Sequence, residues 1–236
     1  MREKVAAIVL AAGRGSRMNS DIHKQYLDLG GKPVLFYSLD TFERSFVSEI
    51  VLVTGEDEID YCRKEIVEKF GFSKVKKIVV GGRERYHSVW NGLRAIDHCD
   101  VVMIHDGARP FVDEAILDRC LTDVRAHKAC VVGMPVKDTI KLADEAGFSK
   151  ETLPRHLLWM IQTPQVFAYD LVLKAFRTFM DNEKELLEQG IQITDDAMVV
   201  ERFTNTSVKL TEGSYENIKI TTPEDLPHAE MLLKRG

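Results

Sequence analysis

The chain has little that would take it to a nucleic acid, a membrane or an oxidising compartment. Its 32 lysines and arginines are outnumbered by 37 aspartates and glutamates, for a net charge of −5, so no global basic field attracts DNA, RNA or an anionic bilayer. No apolar run approaches the roughly 18 residues that a membrane-spanning helix needs, and no signal-peptide pattern opens the sequence. Four cysteines, Cys62, Cys99, Cys120 and Cys130, show neither CxxC nor Cys/His ligand spacing. The expectation is a reduced, cytoplasmic protein whose cysteines fill core or surface. Also missing are the Walker pattern GxxxxGK[ST] and the full GxGxxG with its following acidic residue, which argues against a P-loop ATPase and a Rossmann dehydrogenase. With no internal repeat and no low-complexity linker, residues 1–236 are expected to form one domain.

What is present is an ordinary mixture for a globular chain, 44% apolar and 29% charged, enough to bury a sizeable core. Val5 to Ala11 is a continuous apolar run followed, after Ala12, by glycine, the pattern of a strand buried on both faces. Similar runs at Ile50–Thr54, Lys77–Val80, Val101–Ile104 and Ala129–Pro135 alternate with helical stretches at Pro33–Arg44, Ile59–Phe70, Ser88–Ile96 and Glu114–His127. Alternation of this kind predicts an α/β fold, a mostly parallel sheet with helices on both faces. After Pro135 the rhythm changes. Residues Lys137–Leu142, a turn at Ala146-Gly147 and a segment to Leu153 read as a β-hairpin with few apolar residues. Such an arm reaches a partner subunit or covers a site rather than standing free. Helices are expected at Leu171–Met180 and Asp195–Arg202, a strand at Val208–Leu210, and a last helix over Pro223–Lys234 capped by Thr222.

In an open parallel sheet, ligands bind beyond the C-terminal strand ends. The first strand delivers Ala11-Ala12-Gly13-Arg14-Gly15-Ser16-Arg17-Met18 to that edge. Small residues there let backbone approach a ligand, amides form an anion-binding nest, and Arg14, Arg17 and Lys24 can neutralise a triphosphate. His105-Asp106-Gly107-Ala108-Arg109-Pro110 follows a second strand to the same edge. There a carboxylate can hold Mg²⁺ or a substrate hydroxyl, and an arginine can pair with phosphate. His105 is read as a packed, hydrogen-bonded residue rather than an acid/base group or ligand. Asp195 and Asp196 are either an acidic metal pair or the cap of the helix that follows, and capping is the preferred reading.

Leu10-Ala11-Ala12-Gly13-x-Gly15-x-Arg17-Met18, followed by Lys24-Gln25-Tyr26 and Gly31-Lys32-Pro33-Val34, resembles the opening of the sugar-phosphate nucleotidyltransferases. Further segments extend the likeness over almost the whole chain: Gly81-Gly82-Arg83-Glu84-Arg85 with Ser88, Pro135-Val136-Lys137-Asp138-Thr139, Gln162-Thr163-Pro164-Gln165, Thr194-Asp195-Asp196 and Asn217-Ile218-Lys219-Ile220-Thr221. Together they resemble the 2-C-methyl-D-erythritol 4-phosphate cytidylyltransferases of the non-mevalonate isoprenoid pathway. The ribitol-5-phosphate cytidylyltransferases are the alternative on the same fold.

The resemblance implies a Rossmann-like nucleotidyltransferase fold and Mg²⁺-dependent transfer of CMP from CTP to a polyol phosphate. It places Ala11, Ala12, Gly13, Gly15, Gly82 and Ser88 around the CTP, and Arg17, Lys24 and Lys219 at the triphosphate as the catalytic cations. Asp106, Arg109 and Thr163 would hold the polyol phosphate, joined by Thr139 and Arg155 from the arm, residues 137–157, of a second subunit in a homodimer. Metal ligands are not assigned beyond Asp106 as a candidate. Arg83, Tyr86 and His87 receive no role.

Overall fold

The computed structural model describes residues 3–13 and 23–235. Along the chain come β1 (Val5–Leu10), a small hairpin of β2 (Asp28–Leu29) and β3 (Lys32–Pro33), α1 (Val34–Arg44), β4 (Glu49–Thr54) and α2 (Ile59–Tyr61), which runs on as a π-helical segment over Cys62–Glu68. Then follow β5 (Val75–Val80), α3 (Arg85–Ala95), β6 (Val101–Asp106), α4 (Glu114–His127), β7 (Ala129–Pro135), β8 (Lys141–Ala143) and β9 (Ser149–Thr152). The last third holds β10 (Trp159–Ala168), α5 (Tyr169–Glu188), α6 (Asp196–Phe203), β11 (Lys209–Glu212) and α7 (Asp225–Leu233).

Seven strands form one sheet in the order β11-β7-β10-β6-β1-β4-β5. Every pairing in it is parallel except those of β10, which runs against both neighbours. The apolar runs of β1, β4 and β6 are buried because helices cover both faces. On one face Leu35, Leu39 and Phe42 of α1 and Leu117 and Cys120 of α4 pack with Ile66. On the other, Val89 and Leu93 of α3 meet Phe176 and Phe179 of α5 and Val199 and Val200 of α6. Each fully buried side chain of this size contributes about 1.5–3 kcal/mol. All four cysteines are free and buried, and so belong to the core. Among the described residues no helix is long and apolar enough to cross a membrane.

Register is what builds the site. Leu10, the last residue of β1, lies level with Asp106 of β6 on one side and Val53 of β4 on the other. The segments that leave β1 and β6 therefore start side by side, joined by Gly107 N–H donating to the Leu10 carbonyl at 2.8 Å. Because β10 is reversed, its early residues lie at the edge where the parallel strands end. Its pairing with β7 breaks between Ile161 and Gln165, which turns Gln162 and Thr163 toward that edge.

The sequence reading missed β10, for Pro164 and the polar Gln162-Thr163 and Gln165 interrupt its apolar pattern. Helix α5 continues past the expected end at Met180 to Glu188, through a turn in which Leu186 is buried. Thr222 is not the cap of the last helix. The chain enters α7 through Glu224, and the Asp225 carboxylate accepts from the Thr221 and Thr222 amides at 2.7 and 2.9 Å.

The arm is the antiparallel pair β8–β9, and every residue of both strands is exposed. Its root is braced from the body. Lys137 Nζ lies 3.4 Å from the centre of the Tyr215 ring, whose hydroxyl donates to the Pro135 carbonyl at 2.8 Å, and Arg155 Nη1 donates to the Lys137 carbonyl at 2.8 Å. Phe148 and Leu157 remain 72% and 68% exposed, so the arm carries exposed apolar surface.

Candidate active site

A cavity of about 630 Å³ opens where β1 and β6 end. Ala11, Ala12 and Gly13 line one wall, Gly82 and Ser88 another, and Lys24, Arg85, Asp106 and Lys219 surround the polar part. Eight residues singled out from the sequence thus meet in one place: Ala11, Ala12, Gly13, Lys24, Gly82, Ser88, Asp106 and Lys219. Gly15 and Arg17 lie outside the described residues.

The apolar walls are held by local bonding. Ser88 Oγ accepts from the Gly82 amide at 3.0 Å and so fastens the glycine segment to the first turns of α3. A side chain at Gly82 would run into the Cβ of His87 and lie 3.2 Å from its backbone carbon, so glycine is required by close approach. Lys24 opens a 3₁₀ turn, Lys24–Tyr26, whose buried Gln25 donates through Nε2 to the Ala11 carbonyl. That bond ties the lysine's turn to the end of β1.

At the polar end two carboxylates and three cations form a network. Lys219 Nζ donates to Asp106 Oδ2 at 2.6 Å and Arg85 Nε to Asp106 Oδ1 at 3.2 Å. The two terminal nitrogens of Arg85 grip Asp196 at 2.8 and 2.9 Å. Burial disfavours the Asp106 anion, yet Arg85, Lys219 and Arg109 outweigh it and hold the carboxyl well below the usual carboxylate range. Burial likewise works against the Arg85 cation, and Asp196 and Asp106 more than offset it, so the guanidinium stays charged. Arg109 responds the other way, with burial lowering it against the pull of Asp106.

Behind Asp106 the scaffold is made of neutral bonds. The Asp106 amide donates to Thr163 Oγ1 at 3.1 Å, and Thr163 Oγ1 lies 3.0 Å from His105 Nδ1. With His105 Nε2 3.2 Å from the Arg109 carbonyl, a consistent assignment has the threonine hydroxyl donating to Nδ1 and Nε2–H donating to the carbonyl. Burial lowers His105 to about 4, so the ring is neutral and structural, as the sequence reading preferred. Arg109 Nη1 donates to the Asn217 carbonyl at 2.7 Å, and Asn217 Nδ2 to the Thr163 carbonyl at 3.0 Å. Thr163 and Arg109 thus stand beside the cavity and brace it. Thr139 and Arg155 are exposed on the arm and its root.

Asp195 caps α6 by accepting from the Met198 amide at 2.9 Å, as expected, but Asp196 is the buried partner of Arg85. Arg85, Asp196 and Asn217 are the residues whose roles the sequence did not reveal. Arg85 and Asp196 are separated by 111 positions, and no short motif joins them.

Among the described residues no group of three or more His, Cys, Asp or Glu side chains is arranged to hold a metal ion. Both oxygens of Asp106 are engaged by cations. The donor set does not fit a metal held by a cage of side chains, and a divalent cation here would depend on phosphate oxygens brought by a ligand.

Residues 5–235 match the family model described as 2-C-methyl-D-erythritol 4-phosphate cytidylyltransferase. A protein of that name from Caldanaerobacter subterraneus is 48% identical over 233 residues, covering 98% of this chain and 99% of its own. Another from Clostridium kluyveri is 49% identical over 229 residues, covering 97% and 96%. The crystal structure of 4-diphosphocytidyl-2C-methyl-D-erythritol synthase from Anaerococcus prevotii superimposes with a TM-score of 0.85 at 34% identity, covering 99% of this chain and 97% of that one.

Proposed function

The chain belongs to the 2-C-methyl-D-erythritol 4-phosphate cytidylyltransferase family, and from that premise we propose how its cavity joins two phosphate-bearing substrates. The enzyme transfers CMP from CTP to 2-C-methyl-D-erythritol 4-phosphate, giving 4-diphosphocytidyl-2-C-methyl-D-erythritol and pyrophosphate in isoprenoid precursor biosynthesis.

Cytosine and ribose occupy the small-residue wall of Ala11, Ala12, Gly13, Gly82 and Ser88, and the triphosphate meets Lys24 and Lys219; Gly15 and Arg17, outside the described residues, are assigned to CTP and its triphosphate on the family's motif alone. Asp106, Arg109 and Thr163 take the polyol phosphate. The acceptor's phosphate, with a second pKa of about 6, is already an anionic nucleophile near neutrality, so no general base is needed. One of its oxygens bonds to the α-phosphorus while the bond from that phosphorus to the bridging oxygen of the β-phosphate breaks, and the electron pair leaves with pyrophosphate. The barrier is the meeting of two anions, which fixed cations lower by stabilising the charge of the transition state. Lys219 carries this reading, because its side chain lines the cavity and is 34% exposed while its amine is held by an anchored carboxylate. It is positioned before substrate arrives.

Mg²⁺ is assigned to the nucleotide as part of the substrate, where it supplies charge neutralisation on the phosphates. The exposed arm, with Ile140, Leu142 and Phe148, is assigned to a homodimer in which Thr139 and Arg155 complete the partner's acceptor site. Four buried thiols suit a reducing, cytoplasmic setting. The test is pyrophosphate release with CTP and Mg²⁺, comparing methylerythritol phosphate with ribitol phosphate. Release with the first acceptor and CTP alone is expected, and preference for ribitol phosphate would overturn the acceptor assignment.

A further inference from the structure

We propose that Arg85 is a positioning residue that pins Asp106 in place, so that Lys219 can leave this carboxylate for the nucleotide phosphates without the carboxylate turning away from the acceptor. The proposal rests on the reading above that Asp106 holds the polyol phosphate.

The geometry separates a fixed cation from an exchangeable one. Arg85 begins α3 directly after the glycine segment of the cavity wall. Its two terminal nitrogens are committed to Asp196, whose side chain is 1% exposed. That anchor is itself immobilised. Gln165 Oε1 accepts from the Asp196 and Ala197 amides at 3.0 and 2.9 Å, while Gln165 Nε2 donates to Asp195 Oδ2 at 3.0 Å. The third donor, Nε, is what remains for Asp106 Oδ1. Lys219, by contrast, reaches Asp106 Oδ2 as a single ammonium from a loop side chain that is partly open to the cavity. An incoming triphosphate competes for that ammonium far more easily than for a guanidinium with a bidentate buried partner.

The charges follow the same division. With Lys219 in place, two cations bond directly to the carboxylates Asp106 and Asp196, and the charge of Arg109 adds to their effect on Asp106. When Lys219 moves to phosphate, the Arg85 charge is shared between them, and Asp106 regains an oxygen able to accept from a polyol hydroxyl. Without Arg85 the same oxygen would belong to a carboxylate that has lost its bond to an anchored guanidinium, while the bond from the Asp106 amide to Thr163 Oγ1 holds the main chain and not the side chain. A lysine in place of Arg85 keeps the charge but has no planar fork to grip Asp196 and Asp106 together.

The test is steady-state kinetics of the full-length enzyme with both substrates varied. Arg85→Lys is expected to raise the KM for methylerythritol phosphate by about 10-fold, the loss of one well-placed charge-assisted bond, while the KM for CTP changes less than about 2-fold. Because a lone change at a buried pair can unfold the chain, the neutral pair Arg85→Gln/Asp196→Asn serves as a second variant, with its thermal midpoint measured. It is expected to melt near the parent and to show the same acceptor defect. In Asp106→Asn enzyme, Arg85→Lys should add little further loss, as for two residues acting through one contact. Equal rises in both KM values, additive losses in the Asp106→Asn background, or a folded neutral pair with parental kinetics would each overturn the proposal. Were Asp106→Asn alone to leave the acceptor KM unchanged, the assignment of Asp106 to the acceptor would fall, and the proposal with it. A defect in Asp106→Asn with none in Arg85→Lys would remove the Arg85 role alone.

Discussion

Lys219 and Asp106, 113 positions apart, meet at 2.6 Å across the mouth of the cavity. The contact joins the loop before α7 to the end of β6 and holds an ammonium beside the place where phosphates must collect. An ammonium held beside that place has only a short way to go to the phosphates, where it stabilises the charge of the transition state, and this is the source of its effect on turnover.

Replacing Lys219 with alanine, or Lys24 likewise, is therefore expected to lower kcat by about 100-fold or more, with a smaller change in the KM for CTP. Pyrophosphate release under saturating substrate measures it. Near-parental turnover in either variant would show that the transition-state charge is stabilised elsewhere.

Gly82 offers a test of the nucleotide wall that leaves every charge in place. In Gly82→Ala the new methyl meets His87 within α3, whose backbone cannot yield easily. The glycine segment must move, stretching the bond from the Gly82 amide to Ser88 Oγ. The KM for CTP is expected to rise by about 10-fold, the equivalent of one lost hydrogen bond, with the acceptor KM little changed. An unchanged CTP affinity would place the nucleotide away from this wall.

The parts of this design written in the sequence are those with local signatures. The apolar run of β1 with its glycine loop, and the acidic and basic residues just after β6, announce a ligand edge because strand ends fix where they point. Lys219 was legible through its motif, Asn217-Ile218-Lys219, but not the purpose of Asn217, which donates to the Thr163 carbonyl and accepts from Arg109 through its own. Strand β10 was hidden because its site-facing residues are polar and contain Pro164. Arg85 was hidden for a different reason. An arginine next to glycines and glutamate looks like solvated surface, and its meaning comes from Asp196, which packing delivers from a distant helix.

His105 predicts an acid limb in stability. Burial lowers it to about 4, against about 6.5 in an unfolded chain. Between those values the unfolded state binds a proton that the native state refuses, so stability falls as pH drops from about 6.5 to about 4. Asp106, with its folded value also depressed, loses its stabilisation as pH falls further through the carboxylate range. The His105 share is about 3 kcal/mol at most. Urea unfolding of the parent and of His105→Gln between pH 4 and 7 should show a shallower pH slope in the variant. Parallel slopes would mean that other groups carry the acid limb.

The arm makes a prediction about two active sites at once. Its strands bury nothing, yet its root is fixed by Tyr215 and Arg155, so it projects in a defined direction with Phe148 at 72% exposure near its tip. An arm braced at its root that exposes Ile140, Leu142 and Phe148 among polar residues fits insertion against a second copy better than free solvation. If Arg155 serves the neighbour's acceptor site, Lys219→Ala and Arg155→Ala chains disable different halves of a shared centre. Mixed and allowed to exchange, they should form heterodimers with one intact site each, recovering about a quarter of parental activity at equal proportions, since random pairing makes half the dimers mixed. Phe148→Asp should shift the sedimentation of the protein toward the monomer and lower activity with it. Heterodimers shown by differential tagging to form, yet without recovered activity, would return Arg155 to the brace at its own arm root, where it already binds the Lys137 carbonyl at 2.8 Å.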